Sequence, residues 1–125
     1  MEANRAYILI VDDSQTNNVL LEAVLDEAGY ITQTATSAAE AWNILHMERP
    51  ALILLDLLMP KVSGFQLLEK IKHRDEFTKI PVIIVSALND SDTIKTLKAN
   101  GADDFFPKPF DLEKLIARVG DFVPL

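Results

Sequence analysis

The chain has 125 residues, 49% of them hydrophobic, with 19 acidic against 12 basic side chains, a formal net charge of -7 and no cysteine. That length suits one compact domain, residues 1–125 with a core over about 7–122, and is too short for two. The negative charge repels phosphate backbones and argues against direct nucleic-acid binding, and the lack of cysteine excludes a disulfide framework, a thiolate metal site and a catalytic thiol.

The N-terminal stretch Met1-Glu2-Ala3-Asn4-Arg5-Ala6 has no signal-peptide core, and no apolar run approaches the roughly 20 residues a membrane span needs. A soluble cytoplasmic protein without membrane contact is the expectation. Strand patterns are predicted near 7–11, 31–35, 52–55, 82–85 and 104–107, alternating with helical patterns near 15–28, 37–48, 64–74, 91–99 and 112–122. Repeated strand-then-helix units predict an α/β fold, a parallel sheet covered on both faces. Val19, Leu21, Leu25 and Ala28 recur at helical intervals in the first helix, and Phe65, Leu67, Leu68 and Ile71 in the third, as stripes facing the sheet. Ser37 with Glu40 and Ser63 with Gln66 have capping-box spacing, while Gly29, Gly101 and Pro50 mark helix ends. Pro107 cannot donate a ladder hydrogen bond, which predicts that the fifth strand lies at a sheet edge.

Charged residues stand where apolar runs stop: Asp12 and Asp13 after Ile8-Leu9-Ile10-Val11, Asp56 after Leu52-Ile53-Leu54-Leu55, and Lys108 after Phe105-Phe106-Pro107. Right-handed crossovers bring the carboxyl ends of parallel strands to one crevice, so these groups, together with Ser86 after Val82-Ile83-Ile84-Val85, should converge. Crowded carboxylates repel unless a cation intervenes, and a hard divalent ion, Mg2+ or in its place Mn2+, is the natural counterion. Such an ion keeps positions open for phosphoryl oxygens. Asp56, ending the central strand, is the expected nucleophile, Lys108 the cation that offsets developing charge, and Ser86 a hydroxyl that could bond a phosphoryl oxygen on Asp56.

Adjacent aspartates are ordinarily turn or cap residues, and a lone serine a cap; it is the convergence with Asp56 and Lys108 that overrides those readings. Asp103 and Asp104 precede the fifth strand and are read as turn residues on the opposite rim. His46 and His73 lack ligand partners at metal spacing and are read as partly exposed helix residues that relay no phosphate, and Trp42 and Met47 as packing residues.

Val11-Asp12-Asp13-Ser14, Asp56-Leu57-Leu58-Met59-Pro60 with Gly64, Ser86-Ala87, and Gly101-Ala102-Asp103-Asp104-Phe105 through Lys108-Pro109-Phe110 resemble the receiver (REC) domains of two-component response regulators. The resemblance spans about residues 7–122. It implies a flavodoxin-like (βα)5 doubly wound sheet in the order 2-1-3-4-5, a phosphoryl group accepted on Asp56 from a sensor histidine kinase or a histidine phosphotransfer protein, and no enzymatic activity on a separate substrate. It further implies Mg2+ held by Asp13, Asp56 and the backbone carbonyl of Leu58, with Asp12 acting through metal waters. Lys108 would pair with the phosphoryl group, Ser86 would move toward it, Phe105 would turn inward, and the Lys108–Pro109 peptide would be cis.

The chain departs from that family's usual pattern at several positions. The switch aromatic is Phe105 rather than tyrosine, so switching should act through packing, and Pro107 removes a backbone donor. Leu58 and Leu88 are apolar where polar residues often flank the path of the hydrolytic water, which predicts a long-lived phosphoryl group. Two rivals fare worse. A magnesium-dependent phosphatase of the haloacid dehalogenase type wants an aspartate where Leu58 stands, and a flavodoxin-like flavin domain wants a phosphate loop free of the Asp12-Asp13 carboxylates. Only Val123-Pro124-Leu125 follows the last helical pattern, which suits a stand-alone regulator or a receiver taken from a longer protein. Its output surface would be the fourth helix, fifth strand and fifth helix, with Lys95, Lys98 and Phe105 as contacts.

Overall fold

The computed structural model describes residues 6–59, 63–88 and 90–124; Met1–Arg5, Pro60 of the acidic motif and Leu125 lie outside them. Elements run β1 (Tyr7–Val11), α1 (Gln15–Glu27), β2 (Ile31–Ala35), α2 (Ala38–Met47), β3 (Leu52–Leu55), α3 (Gly64–Lys72), β4 (Val82–Ser86), α4 (Ser91–Ala99), β5 (Asp104–Pro107) and α5 (Leu112–Phe122). The sheet is parallel throughout, in the order β2-β1-β3-β4-β5. This is the flavodoxin-like doubly wound arrangement, with β5 at an edge as Pro107 requires.

Continuous apolar strands arise because both faces of the sheet are covered. Leu9, Val11, Ile53, Leu55, Val82 and Ile84 pack with Ala41 and Leu45 of α2, Leu67, Leu68 and Ile71 of α3, and Leu97 of α4. Their neighbours Ile8, Ile10, Leu52, Leu54, Ile83 and Val85 face the other way, onto Leu21 and Leu25 of α1 and Leu115 and Val119 of α5. The period-2 alternation of side chains thus feeds two cores from one set of strands.

Gly29 and Gly101 close helices at φ 104 and 102, a region that penalises a Cβ. Ser63 and Gln66 complete a reciprocal capping box. Ser37 caps α2 by accepting from the Glu40 amide, but the Glu40 carboxylate reaches the Thr36 amide instead of returning the bond.

Three sequence expectations need correction. Val19 is 55% exposed, and the inward stripe of α1 is Asn18, Leu21 and Leu25. Met47 is 82% exposed rather than packed, whereas Trp42 lies half-buried against Phe77 with the Lys70 ammonium 4.4 Å from its ring centroid. Asp103 and Asp104 are structural ties rather than plain turn residues. Asp103 Oδ2 accepts from the Val82 amide at 2.8 Å and lies 3.6 Å from Lys72 Nζ, and Asp104, the first residue of β5, accepts from Arg118 Nε of α5 at 2.6 Å.

Burial decides what each α1 side chain contributes. Leu25→Ala should cost about 2–5 kcal/mol in urea unfolding, the range for a buried leucine, while Val19→Ala should stay within about 0.5 kcal/mol, as solvated surface positions do. Equal losses would restore Val19 to the core.

Candidate phosphoryl and divalent-cation site

Asp12, Asp56 and Lys108 each sit one residue past a strand, where the parallel ladder continues for one more rung. The amide of Asp12 donates to Ala35 O of β2, that of Asp56 to Val11 O of β1, and that of Lys108 to Ser86 O of β4, at 3.1, 2.9 and 2.9 Å. The sheet therefore sets the backbone of three site residues directly, without loop geometry intervening.

Carboxylate oxygens of Asp12, Asp13 and Asp56 all lie within 4.8 Å of one another; Asp12 and Asp56 are buried and Asp13 is exposed. Lys108 Nζ stands 3.0 Å from Asp12 Oδ2 and 3.9 Å from Asp56 Oδ2. Burial, then the Asp12 charge, pushes the Asp56 carboxyl above its ordinary value, with Lys108 and the Leu58 amide pulling the other way. Leu58 itself is exposed, and its amide lies 3.4 Å from Asp56 Oδ1. An all-oxygen acidic cluster of this kind fits a hard divalent ion such as Mg2+.

Gly64 closes this rim. A Cβ there would stand 2.3 Å from Asp56 O and 2.7 Å from Leu57 Cα, closer than atoms can approach, so α3 can begin this near the end of β3 only with glycine. Ser86 ends β4 fully buried, its Oγ accepting from the Leu88 amide at 3.2 Å. The Lys108–Pro109 peptide is cis. Phe105 is half-buried against the α2–α4 core and lines a surface hollow with Ile94, Lys98, Asp104 and Pro107.

The family model described as the response regulator receiver domain matches residues 8–120. This chain belongs to the response regulator receiver family. It is 39% identical over 118 residues to sporulation initiation phosphotransferase F of Bacillus subtilis, covering 94% of each chain. It is 38% identical over 120 residues to the probable transcriptional regulator ycf27 of Cyanophora paradoxa, where it covers 95% of this chain and 48% of the relative. The receiver thus spans about half the length of the ycf27 regulators. Among solved structures, a response regulator receiver protein from Pseudomonas putida superposes with a TM-score of 0.89 at 32% identity, covering 96% of this chain and 99% of that one. Chemotaxis protein CheY4 of Vibrio cholerae gives 0.89 at 26% identity, covering 96% and 100%. The chain is accordingly a receiver domain of two-component signalling rather than an enzyme of metabolism.

Two residues of the receiver's rim escaped the sequence reading. Asn17 Nδ2 donates to Asp12 Oδ2 at 3.2 Å. Asn18, fully inside, donates to Asp12 O at 2.9 Å and Ala35 O at 3.1 Å, tying the ends of β1 and β2 together, and its Oδ1 has no partner among the described residues. With Ser14 N on Asp12 Oδ1 at 2.9 Å, Asp12 is held on every side. The available signal was the phase of α1: with Ser14 as its N-cap, residue 18 falls on the buried stripe.

A carboxyl whose folded-state value is raised stabilises the fold below its unfolded-state value and loses that contribution as pH rises through the folded-state value. At neutral pH, Asp56 therefore destabilises the metal-free receiver. Asp56→Asn should raise the Tm by a few degrees at pH 7.5, and the gap should close as pH falls toward 4, the reverse of what loss of a stabilising ion pair would give. Calorimetry without divalent ions checks the sign.

Proposed function

We propose that the described residues act as one phosphoacceptor module, in which Asp56 takes a phosphoryl group from the histidine of a sensor histidine kinase or a histidine phosphotransfer protein. Its support is the set of three carboxylates within 4.8 Å of one another, with Lys108 Nζ 3.9 Å from Asp56. One Asp56 oxygen forms the new P–O bond while the P–N bond to the donor imidazole breaks, and the imidazole leaves.

Asp13, Asp56 and the carbonyl of Leu58 would hold Mg2+, with Mn2+ as a substitute; the bound ion would neutralise charge on the phosphoryl oxygens. Asp12, committed to Ser14, Asn17 and Lys108, would serve the metal through waters. Lys108 offsets the negative charge on the transferred group, and Ser86, released from its bond with the Leu88 amide, has a hydroxyl to offer it. Phe105 would follow Ser86 and alter the α4–β5–α5 surface, where Lys95 and Lys98 are exposed. The module catalyses only its own phosphorylation and dephosphorylation, does not itself bind nucleic acid or membrane, and works in the cytoplasm alongside its donor. Output passes to a downstream protein or a fused domain.

With acetyl phosphate and Mg2+, intact mass should show a single labile phosphoryl adduct, absent in Asp56→Asn and after chelation of divalent ions. A stable parent with no adduct would refute the assignment. Leu58, apolar and exposed beside the acceptor, gives the hydrolytic water nothing to bond. Leu58→Asn should shorten the adduct's lifetime several-fold; an unchanged or longer lifetime would show that Leu58 shields nothing.

A further inference from the structure

Lys108 has two tasks that compete. In the resting geometry its ammonium is on Asp12, at 3.0 Å, and it is 3.9 Å from the acceptor Asp56. Asp12 is only 4% exposed, so a carboxylate oxygen that loses its donor there has few other partners to turn to. A lysine that moves toward a phosphoryl group on Asp56 must leave Asp12 Oδ2 behind. The other donor on that same oxygen is Asn17 Nδ2, at 3.2 Å.

We propose that Asn17 is the positioning residue that releases Lys108: it keeps Asp12 Oδ2 hydrogen-bonded while the lysine transfers to the phosphoryl group. This rests on the receiver reading of the site and adds to it a residue whose work is done only when Lys108 moves.

The local structure suits that role. Asn17 is the third residue of α1, and its amide is capped by Ser14 Oγ at 3.3 Å, which fixes the turn from which the side chain looks back to Asp12. Ser14 N holds Asp12 Oδ1 at 2.9 Å, so the carboxylate cannot rotate to follow the departing lysine. A cavity of about 290 Å³ opens beside the pair, bounded by Asp12, Asn17, Leu20, Lys108, Pro109 and Phe110, so the Lys108 side chain is not close-packed on that side. Asn17 offers a neutral donor. A second cation there would neutralise the acidic rim and compete with the metal, and an apolar residue would leave Asp12 Oδ2 without its second side-chain donor once Lys108 has moved.

The test compares the parent with Asn17→Ala and with Asn17→Leu, which keeps the volume against Leu20. Three readouts are taken: the rate of adduct formation from acetyl phosphate, the Mg2+ Kd by calorimetry, and the side-chain carbon signal of Lys108 in lysine-labelled protein titrated with beryllofluoride. Both variants should form adduct about tenfold more slowly, the scale set by one buried unsatisfied acceptor. Mg2+ affinity should stay within about twofold, since Asn17 holds the carboxylate proposed to meet the metal only through water. The Lys108 signal should shift with beryllofluoride in the parent and lag at the same concentration in the variants. Adduct formation at the parent rate with an unaltered Lys108 shift overturns the inference, as does a loss of Mg2+ affinity that accounts for the slower rate. If the parent itself forms no adduct, the receiver assignment of the site has failed and takes this inference with it.

Discussion

Three carboxylates held within 4.8 Å of one another are the constraint around which this domain is built. Left to themselves they would separate or take up a proton, and the raised Asp56 carboxyl registers that pressure. What limits separation is main chain: the amides of Asp12 and Asp56 are bonded to the last carbonyls of β2 and β1, so moving the backbone of either residue means fraying the sheet. The sheet in turn is fastened by two cores, one on each face. Apolar burial thus holds the acidic rim in a geometry that favours a cation.

The opposite end of the sheet is tied with different chemistry. There Lys72 Nζ donates to Ile80 O at 2.8 Å and approaches Asp103, Asp103 takes the Val82 amide, and Arg118 clamps Asp104. Tyr7 adds a hydroxyl bond to the Glu48 carbonyl past α2, and burial together with Glu48 pushes that phenol up to about 12, so it remains a donor at any physiological pH. Opposite charges are paired at this rim and like charges are crowded at the other, an asymmetry expected where one end stabilises and the other reacts.

The strands and the rim aspartates were legible in the sequence for one reason. A strand buried on both faces must be apolar throughout, so the first charged residue after it is conspicuous. Helix phase was harder to read. In α1 apolarity pointed to Val19, but the buried position is Asn18, whose side-chain NH2 donates to two backbone carbonyls and so offsets part of the cost of burial. No hydropathy pattern encodes that. Asp103 and Asp104 were misread for a related reason: a carboxylate before a strand looks like turn chemistry until its partners, Val82 and Arg118, arrive from other elements. Asn17 needed the fold as well, since the carboxylate it serves is five positions back and the lysine it competes with is 96 positions from Asp12.

The switch proposed for Phe105 is bounded by the same physics. A tyrosine could distinguish its inner and outer positions by a hydrogen bond as well as by burial; Phe105 has only burial. In the present structure the ring is already half-buried against the α2–α4 core, so moving fully inward removes only part of its area from water. At about 25 cal/mol per Å², even 50 Å² more would contribute only about 1.3 kcal/mol, about a ninefold change in the ratio of the two positions. That is far below the roughly 10⁴-fold bias needed to convert a 1:99 equilibrium fully. The α4–β5–α5 surface would therefore respond in a graded way, with a binding partner that prefers the inward ring supplying the remainder.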